Sequence, residues 1–302
     1  MNKVIVTGGC GFLGGYIARG FQDQGWQVSV IDQVKSNSLV GVNQLVLPIT
    51  SPEISDFIYQ TQPDVLIHAA GTASVQNSMA DADADFARNV GTTEHLLNDL
   101  KMQCPQCKTI FLSSAAVYGN PQRLPIREED ATAPISPYGF NKRMCEMLIE
   151  EYATIYHLPA CSVRIFSAYG QGLQKQILWD ICTKIKESHK VVLSGTGHES
   201  RDMIHAQDIF KGILLLTAQA QFKGEIYNLS SGDEITIKDL ASKLIEKFDP
   251  HIQLEFSGQK RAGDPINWRA DISKIKSLGF IKGITIDEGL QQYSDWFKSL
   301  NG

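Results

Sequence analysis

The run Thr7-Gly-Gly-Cys-Gly-Phe-Leu-Gly14 constrains this chain more than any other feature. It follows Lys3-Val-Ile-Val-Thr7, a β-branched apolar run that reads as a strand, and leads into residues 13–24, which read as a helix. Glycines crowded at a strand-to-helix turn meet two physical needs. The turn requires a residue that tolerates positive φ. Missing Cβ atoms also let an anion approach the backbone, where the free N–H groups of the helix start attract it. Gly9, Gly11 and Gly14 fit G-x-G-x-x-G, whereas Gly8, Gly11 and Gly14 fit G-x-x-G-x-x-G; the sequence leaves both open. Asp32 stands just beyond the next strand-like run, residues 27–31, where a carboxylate can accept both hydroxyls of an adenosine ribose. The unit therefore reads as a dinucleotide site, with Gly8, Gly11, Phe12, Leu13, Gly14 and Asp32 as candidate contacts. Asp32 would repel a 2′-phosphate and Gln33 is uncharged, so NAD is the expected cofactor, with NADP as an alternative through Lys35.

The same rhythm continues. Residues 44–47, 64–68, 108–113 and 160–165 read as strands, with long helices over about 81–101 and 138–157. Runs that are apolar on both faces and separated by helices predict a parallel sheet covered on both sides. Right-handed crossovers then give an α/β, doubly wound Rossmann sheet. After Phe166 helices alternate with shorter strands, which predicts a smaller mixed α/β C-terminal domain. The expected division is residues 1–166 plus about 206–230 for the dinucleotide, and 167–205 with 231–302 for the substrate.

Composition narrows the function classes. The chain has 302 residues, 43% of them hydrophobic and 20% charged, and a net charge of −5. An acidic balance argues against a nucleic-acid partner held by phosphate neutralisation. The apolar runs are short, so no membrane span is expected. Glycines break any N-terminal apolar core of a signal peptide, and the six cysteines follow no secreted framework, so a reducing cytoplasm is the expected location.

Tyr138 and Lys142 are four residues apart at a helix start, so they share a face. A nearby ammonium favours phenolate, which makes Tyr138 a candidate acid/base for an alcohol–ketone interconversion. Ser114 follows the fifth strand, at the carboxyl edge where ligands of such sheets bind, and its hydroxyl could hold the reacting oxygen.

These residues together resemble an extended short-chain dehydrogenase/reductase, in the NAD-dependent epimerase/dehydratase family that acts on nucleotide sugars. The likeness rests on the glycine run, Asp32, His68-Ala-Ala-Gly71, Asn89-Val-Gly-Thr92, Ser113-Ser-Ala-Ala-Val-Tyr-Gly119 and Tyr138–Lys142. It continues through Arg164-Ile-Phe-Ser-Ala-Tyr-Gly170, Arg201-Asp-Met-Ile-His205 and Arg261-Ala-Gly-Asp264. The resemblance implies that Ala69, Ala70 and Gly71 line the cofactor and that Ser114, Tyr138 and Lys142 are catalytic, with Tyr138 and Lys142 also touching the cofactor. It implies a nucleoside diphosphate sugar as substrate, met by Ser114, Ser167, Arg201, Arg261 and Asp264. It also implies a homodimer formed by the two long helices, with Phe86, Leu96, Leu97, Met147 and Tyr152 as candidate contacts; core packing is the competing reading for each.

Three departures matter. Leu47-Pro-Ile-Thr50 lacks the acidic residue that often holds adenine, and Ser167 stands where the pattern has Asn. Ala115 and Ala116 replace the acid pair of sugar dehydratases, which argues against elimination of water. Asp32 with uncharged Gln33 disfavours the NADPH that cells usually supply to a reductase, so a C4 epimerase is the leading expectation. A 4-keto-6-deoxy nucleotide-sugar reductase is the alternative, and a non-catalytic nicotinamide-binding sensor the remote one.

Other candidates are weaker. Cys104-Pro-Gln-Cys107 has metal or redox spacing but no second ligand pair, so no metal site is expected. Asp81, Asp83 and Asp85 read as a solvated helix start, and His68 as a local hydrogen-bonding residue. His205 is divided between structural and substrate roles. Trp179 could wall a base, but core packing ranks ahead.

Overall fold

A computed structural model describes residues 1–259, 263 and 265–300. Seven parallel strands form the central sheet: β1 (Lys3–Thr7), β2 (Gln27–Asp32), β3 (Asn43–Val46), β4 (Val65–His68), β5 (Lys108–Ser114), β6 (Ala160–Ile165) and β10 (Lys223–Leu229). Their order is β10-β6-β5-β4-β1-β2-β3. The chain thus runs outward in one direction from β1, then returns to the opposite side at β4. That reversal opens a crevice at the carboxyl ends of β1 and β4, where the glycine run and His68-Ala-Ala-Gly71 lie.

The central strands of the sheet are dry on both faces because successive side chains point to opposite faces and both sets are largely apolar. Val4 and Val6 of β1 join one core with Ile17 and Phe21 of α1 (Phe12–Asp23) and Ile209 and Ile213 of α8 (Ala206–Gln219). Ile5, between them, joins the other core. There it meets Ile54 and Ile58 of α2 (Glu53–Thr61), Leu96 and Leu97 of α5 (Thr92–Gln103), and Cys145 and Ile149 of α6 (Pro137–Thr154).

The later part of the chain builds two small sheets. One joins β11 (Glu234–Thr236), β9 (Ser200–His205) and β7 (Ser167–Tyr169), and the other β12 (Gln253–Phe256) and β8 (Lys190–Leu193). A third core holds them with α7 (Gln176–Glu187), α9 (Ile237–Glu246) and α11 (Ile286–Ser299). The short α10 (Ser273–Ser277) packs near β10. Among the described residues no helix is long and apolar enough to cross a membrane.

Two expectations need correction. The helix expected over 81–101 is three pieces, α4 (Ala82–Phe86), a π-helical turn (Ala87–Gly91) and α5, preceded by α3 (Val75–Ala80). Side chains bond into the backbone there: Asn89 Nδ2 donates to the Asp85 carbonyl at 3.0 Å, and Thr93 Oγ1 donates to the Asn89 carbonyl at 2.6 Å. Of the expected dimer contacts, Leu96, Leu97 and Tyr152 are buried in the chain's own core, whereas Phe86 and Met147 are 46% and 55% exposed. Leu96 and Leu97 share a core with Ile5 and Leu66 of the sheet.

Candidate active site

The glycine turn is built by contacts that exclude side chains. Gly8 has φ +67°, and a Cβ there would lie 2.7 Å from the Ala70 backbone. A Cβ on Gly14 would lie 2.1 Å from the Gly8 carbonyl oxygen. The Gly11 N–H donates to that same oxygen at 3.0 Å, closing the turn. Helix α1, which begins with Phe12 and Leu13, has no side-chain cap at Gly11, so its first N–H groups stay available to an anion. Asp32 ends β2, where its Oδ2 accepts from the Cys10 N–H at 2.9 Å and its Oδ1 from the Gln33 N–H at 2.7 Å. The carboxylate is thereby fixed beside the glycine turn with lone pairs to spare for hydroxyls. A cradle that a Cβ would fill, an uncapped helix start and a fixed acceptor fit a dinucleotide. Lys35 is exposed.

Across the crevice, the Ala69 N–H donates to the Thr7 carbonyl at 3.2 Å, and the Ala70 N–H to Thr7 Oγ1 at 3.3 Å. His68 serves this frame. Its Nδ1 meets Thr7 Oγ1 at 2.7 Å and its Nε2 meets Thr93 Oγ1 at 3.0 Å. The Thr93 proton is engaged by the Asn89 carbonyl, so His68 donates from Nε2 and accepts at Nδ1. Burial first, and the Lys142 charge second, hold its pKa at about 3, so the ring is neutral. Gly71 has φ +127°, and a Cβ there would press within 2.6 Å of Asn89 Oδ1, a buried acceptor without a partner among the described residues.

Ser114, Tyr138 and Lys142 come together at the end of β5. Ser113 is drawn off to Glu146 Oε1 at 2.7 Å, while Ser114 accepts from the Ala116 N–H at 3.1 Å and hydrogen-bonds the Tyr138 hydroxyl. Helix α6 starts cleanly: Ser136 caps the Gly139 N–H at 3.2 Å, and Pro137 takes the first turn, where its missing N–H costs nothing. A Cβ on Gly139 would sit 2.7 Å from the Ala116 carbonyl oxygen, so glycine lets the helix approach the turn after Ser114. Ser78 of α3 accepts the Tyr138 N–H at 3.1 Å. Lys142 is buried, donates from Nζ to the Leu112 carbonyl at 3.1 Å, and lies 5.9 Å from the Tyr138 ring centre. Burial pushes the Tyr138 phenol up to about 12, opposed by its hydrogen bond with Ser114. Burial pushes the Lys142 ammonium down, while Cys145, Asp85 and Glu146 pull it up.

Asp85 is the residue that sequence reasoning misplaced. It is 3% exposed, not solvated. Its Oδ2 accepts from Asn141 Nδ2 at 2.7 Å, and its Oδ1 accepts from Thr72 Oγ1. The three aspartates at alternate positions look like one polar start; only the broken helix turns Asp85 inward.

Ser167 lies on β7 opposite Met203 of β9, and Arg201 lies on β9. Arg201 donates to the Ser200 carbonyl at 2.7 Å and to the Ile266 carbonyl at 3.2 Å. Arg261 and Asp264 lie outside the described residues. Trp179 packs on Trp296 and Phe297, at ring distances of 6.0 and 5.3 Å, in the third core. His205 caps α8 through Nδ1 and stacks edge-on with Tyr16 and Tyr169. Among the described residues no group of three or more potential ligands could hold a metal ion.

Residues 4–230 match the family described as the NAD dependent epimerase/dehydratase family. A putative UDP-glucose 4-epimerase of Methanocaldococcus jannaschii is 27% identical over 308 residues, covering 99% of each chain. The CDP-paratose 2-epimerase of Salmonella typhi is 25% identical over 342 residues, covering 99% of this chain and 100% of that one. Among solved structures, the UDP-glucose 4-epimerase of Thermotoga maritima with UDP-glucose superposes with a TM-score of 0.92 at 25% identity, over 99% of this chain and 100% of that one.

Proposed function

Because the chain belongs to the NAD dependent epimerase/dehydratase family, we propose that it inverts C4 of the sugar in a nucleoside diphosphate sugar. It is an enzyme of the short-chain dehydrogenase/reductase type and its cofactor is NAD. A UDP-sugar is the first substrate to test, since several of the similar proteins carry UDP-sugar 4-epimerase names. The observation that carries the reading is the convergence of Ser114, Tyr138 and Lys142 beside the glycine crevice.

Bound NAD supplies a reversible hydride acceptor at the sugar carbon. The chain's residues do the rest. Tyr138 takes the proton from the C4 hydroxyl and returns it to the same oxygen after the sugar has presented its other face. Ser114 holds that oxygen. Lys142 favours the phenolate by its charge and meets the nicotinamide ribose. Gly8, Gly11, Phe12, Leu13 and Gly14 present backbone to the pyrophosphate, Asp32 accepts the adenosine ribose, and Ala69, Ala70 and Gly71 form the opposite wall. Ser167, Arg201, Arg261 and Asp264 hold the nucleoside diphosphate. Residues 1–166 with about 206–230 form the cofactor domain, and 167–205 with 231–302 the substrate domain. The exposed Phe86 and Met147 support a homodimer through the helices around them; a monomer in sedimentation at micromolar concentration would refute that.

The test supplies UDP-glucose and UDP-galactose, with their N-acetylated and uronic acid counterparts, and follows products and reduced nicotinamide. Interconversion of C4 epimers without net cofactor consumption is expected. Replacing Tyr138 by Phe lowers turnover at least about 100-fold while NAD binding survives. Stoichiometric oxidation of NADH with a 4-keto sugar would instead establish a reductase.

A further inference from the structure

We propose that Asp85 is a positioning residue for this reaction: its buried carboxylate joins the crevice loop at Thr72 to helix α6 at Asn141 and supplies the fixed negative charge that balances Lys142. The inference rests on the role of Tyr138 and Lys142 given above.

Three observations carry it. Asp85 is 3% exposed, yet among the described residues no lysine, arginine or histidine pairs with it, and its carboxylate is held by two neutral donors, Thr72 and Asn141. Burying a carboxylate without a direct cation partner is costly unless hydrogen bonds compensate, and in a low-dielectric interior a charge acts on its neighbours more strongly than in water. Second, its two partners are placed on the two walls of the site. Thr72 follows Gly71, at the cofactor wall, and also accepts from Asn89 Nδ2 at 2.7 Å. Asn141 lies between Tyr138 and Lys142 on α6, in the residue directly before the lysine. Third, Asp85 lines a cavity of about 280 Å³ together with Thr72, Asn77, Ala80, Asp81, Ala84 and Arg88, so it stands between solvent and the catalytic helix.

The field is specific. Ionisable groups acting on Tyr138 and Lys142 are Asp85 from α4, and Cys145 and Glu146 from their own helix. From β4 comes His68, which is neutral. Burial pushes the Cys145 thiol up, so it too is neutral. Glu146 is already engaged by Arg164 at 2.8 Å through both oxygens. Among the described residues Asp85 is therefore the carboxylate left to act on Lys142. It favours the protonated form of both the lysine and the phenol.

The experiment replaces Asp85 by Asn and records the pH profile of turnover with the NAD-loaded enzyme, with a ¹³C NMR titration of the lysine ε-carbons assigned through Lys142→Arg. Both limbs of the profile should move to lower pH by about one unit, and turnover at the wild-type optimum should fall about tenfold. The Lys142 resonance should titrate lower by a similar amount. Adding Asn141→Asp restores a carboxylate–amide pair with the charge across the same bond, and should return both limbs to within half a unit or so of wild type. Reduced turnover with unmoved limbs and an unmoved Lys142 titration would overturn the proposal, because a merely structural tie predicts that pattern. If Asp85→Asn folds poorly, the swapped pair decides: limbs near wild type support the proposal and limbs displaced by a unit or more overturn it. Should no epimer form even in the wild type, the proposed function fails while the lysine titration still decides the role of Asp85.

Discussion

The sharpest consequence of the site concerns Lys142. In the protein alone, burial leaves the Tyr138 phenol near 12, so only about one molecule in 10⁵ carries a phenolate at pH 7. That value holds with Lys142 in place, so losing its charge makes the base scarcer still. Lys142 Nζ lies 5.9 Å from the Tyr138 ring centre. At that separation, and at an effective dielectric near 20, a unit charge contributes about 3 kcal/mol, or roughly two pH units on the phenol. Lys142→Met keeps the length and packing of the chain and removes the charge. The acidic limb of turnover should rise by about two pH units, and turnover at pH 7 should fall about 100-fold. The assay is epimer interconversion between pH 6 and 10 at saturating sugar, with bound NAD quantified on the same sample so that cofactor loss is counted separately. A variant that retains NAD and keeps turnover within about threefold of wild type, with its limb unmoved, would refute the electrostatic role of Lys142.

Two further outcomes follow from the scaffold. Gly14→Ala places a Cβ where the Gly8 carbonyl oxygen already sits, 2.1 Å away. The start of α1 must move by about an ångström, which should cost about 1–3 kcal/mol in urea unfolding and weaken NAD about 100-fold in a fluorescence titration; unchanged binding would place the pyrophosphate elsewhere. His68 stays neutral in the fold down to about pH 3, whereas the unfolded chain protonates it near 6.5. The unfolded state therefore binds the extra proton, and stability is complete above pH 6.5 and lost as the pH falls toward 3. Between pH 7 and 5 this removes about 2 kcal/mol, a component absent from His68→Gln; equal declines in the two proteins would sink the assignment.

Much of this was legible in the residues because the strands of a parallel sheet are apolar on both faces and the glycine turn has few other uses. The strands at β1, β2, β4, β5 and β6 fall close to where periodicity puts them. Helix α2 was missed: Ile54, Phe57 and Ile58 give it only one short apolar stripe between polar residues. The small sheets were read incompletely, since β7, β9 and β11 are short or carry the charged Arg201 and Asp202. Asp202 is buried because the backbone N–H groups of Ser231, Gly232 and Ala270 converge on it from distant segments, which no local pattern announces. In the site, Ser114, Tyr138 and Lys142 were visible by type and spacing. Asp85 and Ser78 were not, because their importance comes from a π-helical turn and a helix crossing that join residues far apart in sequence.

The same geometry bears on which sugar chemistry the site can support. Elimination of water across C5 and C6 would need a base for the C5 proton and an acid for the leaving hydroxyl, in addition to the group that serves C4. Ala115 and Ala116, buried directly after Ser114, offer neither. The ionisable neighbours that raise the Tyr138 phenol are Asp85 and Cys145. Asp85 has both oxygens committed to Thr72 and Asn141, and Cys145 is a buried thiol whose deprotonation burial opposes. Among the described residues, then, the site carries one mobile proton, on Tyr138, with Ser114 to hold the oxygen it leaves. One proton shuttled to and from one oxygen is enough to oxidise a carbinol and reduce it again. It matches the proposed inversion at C4, a reaction that ends with the proton back where it started.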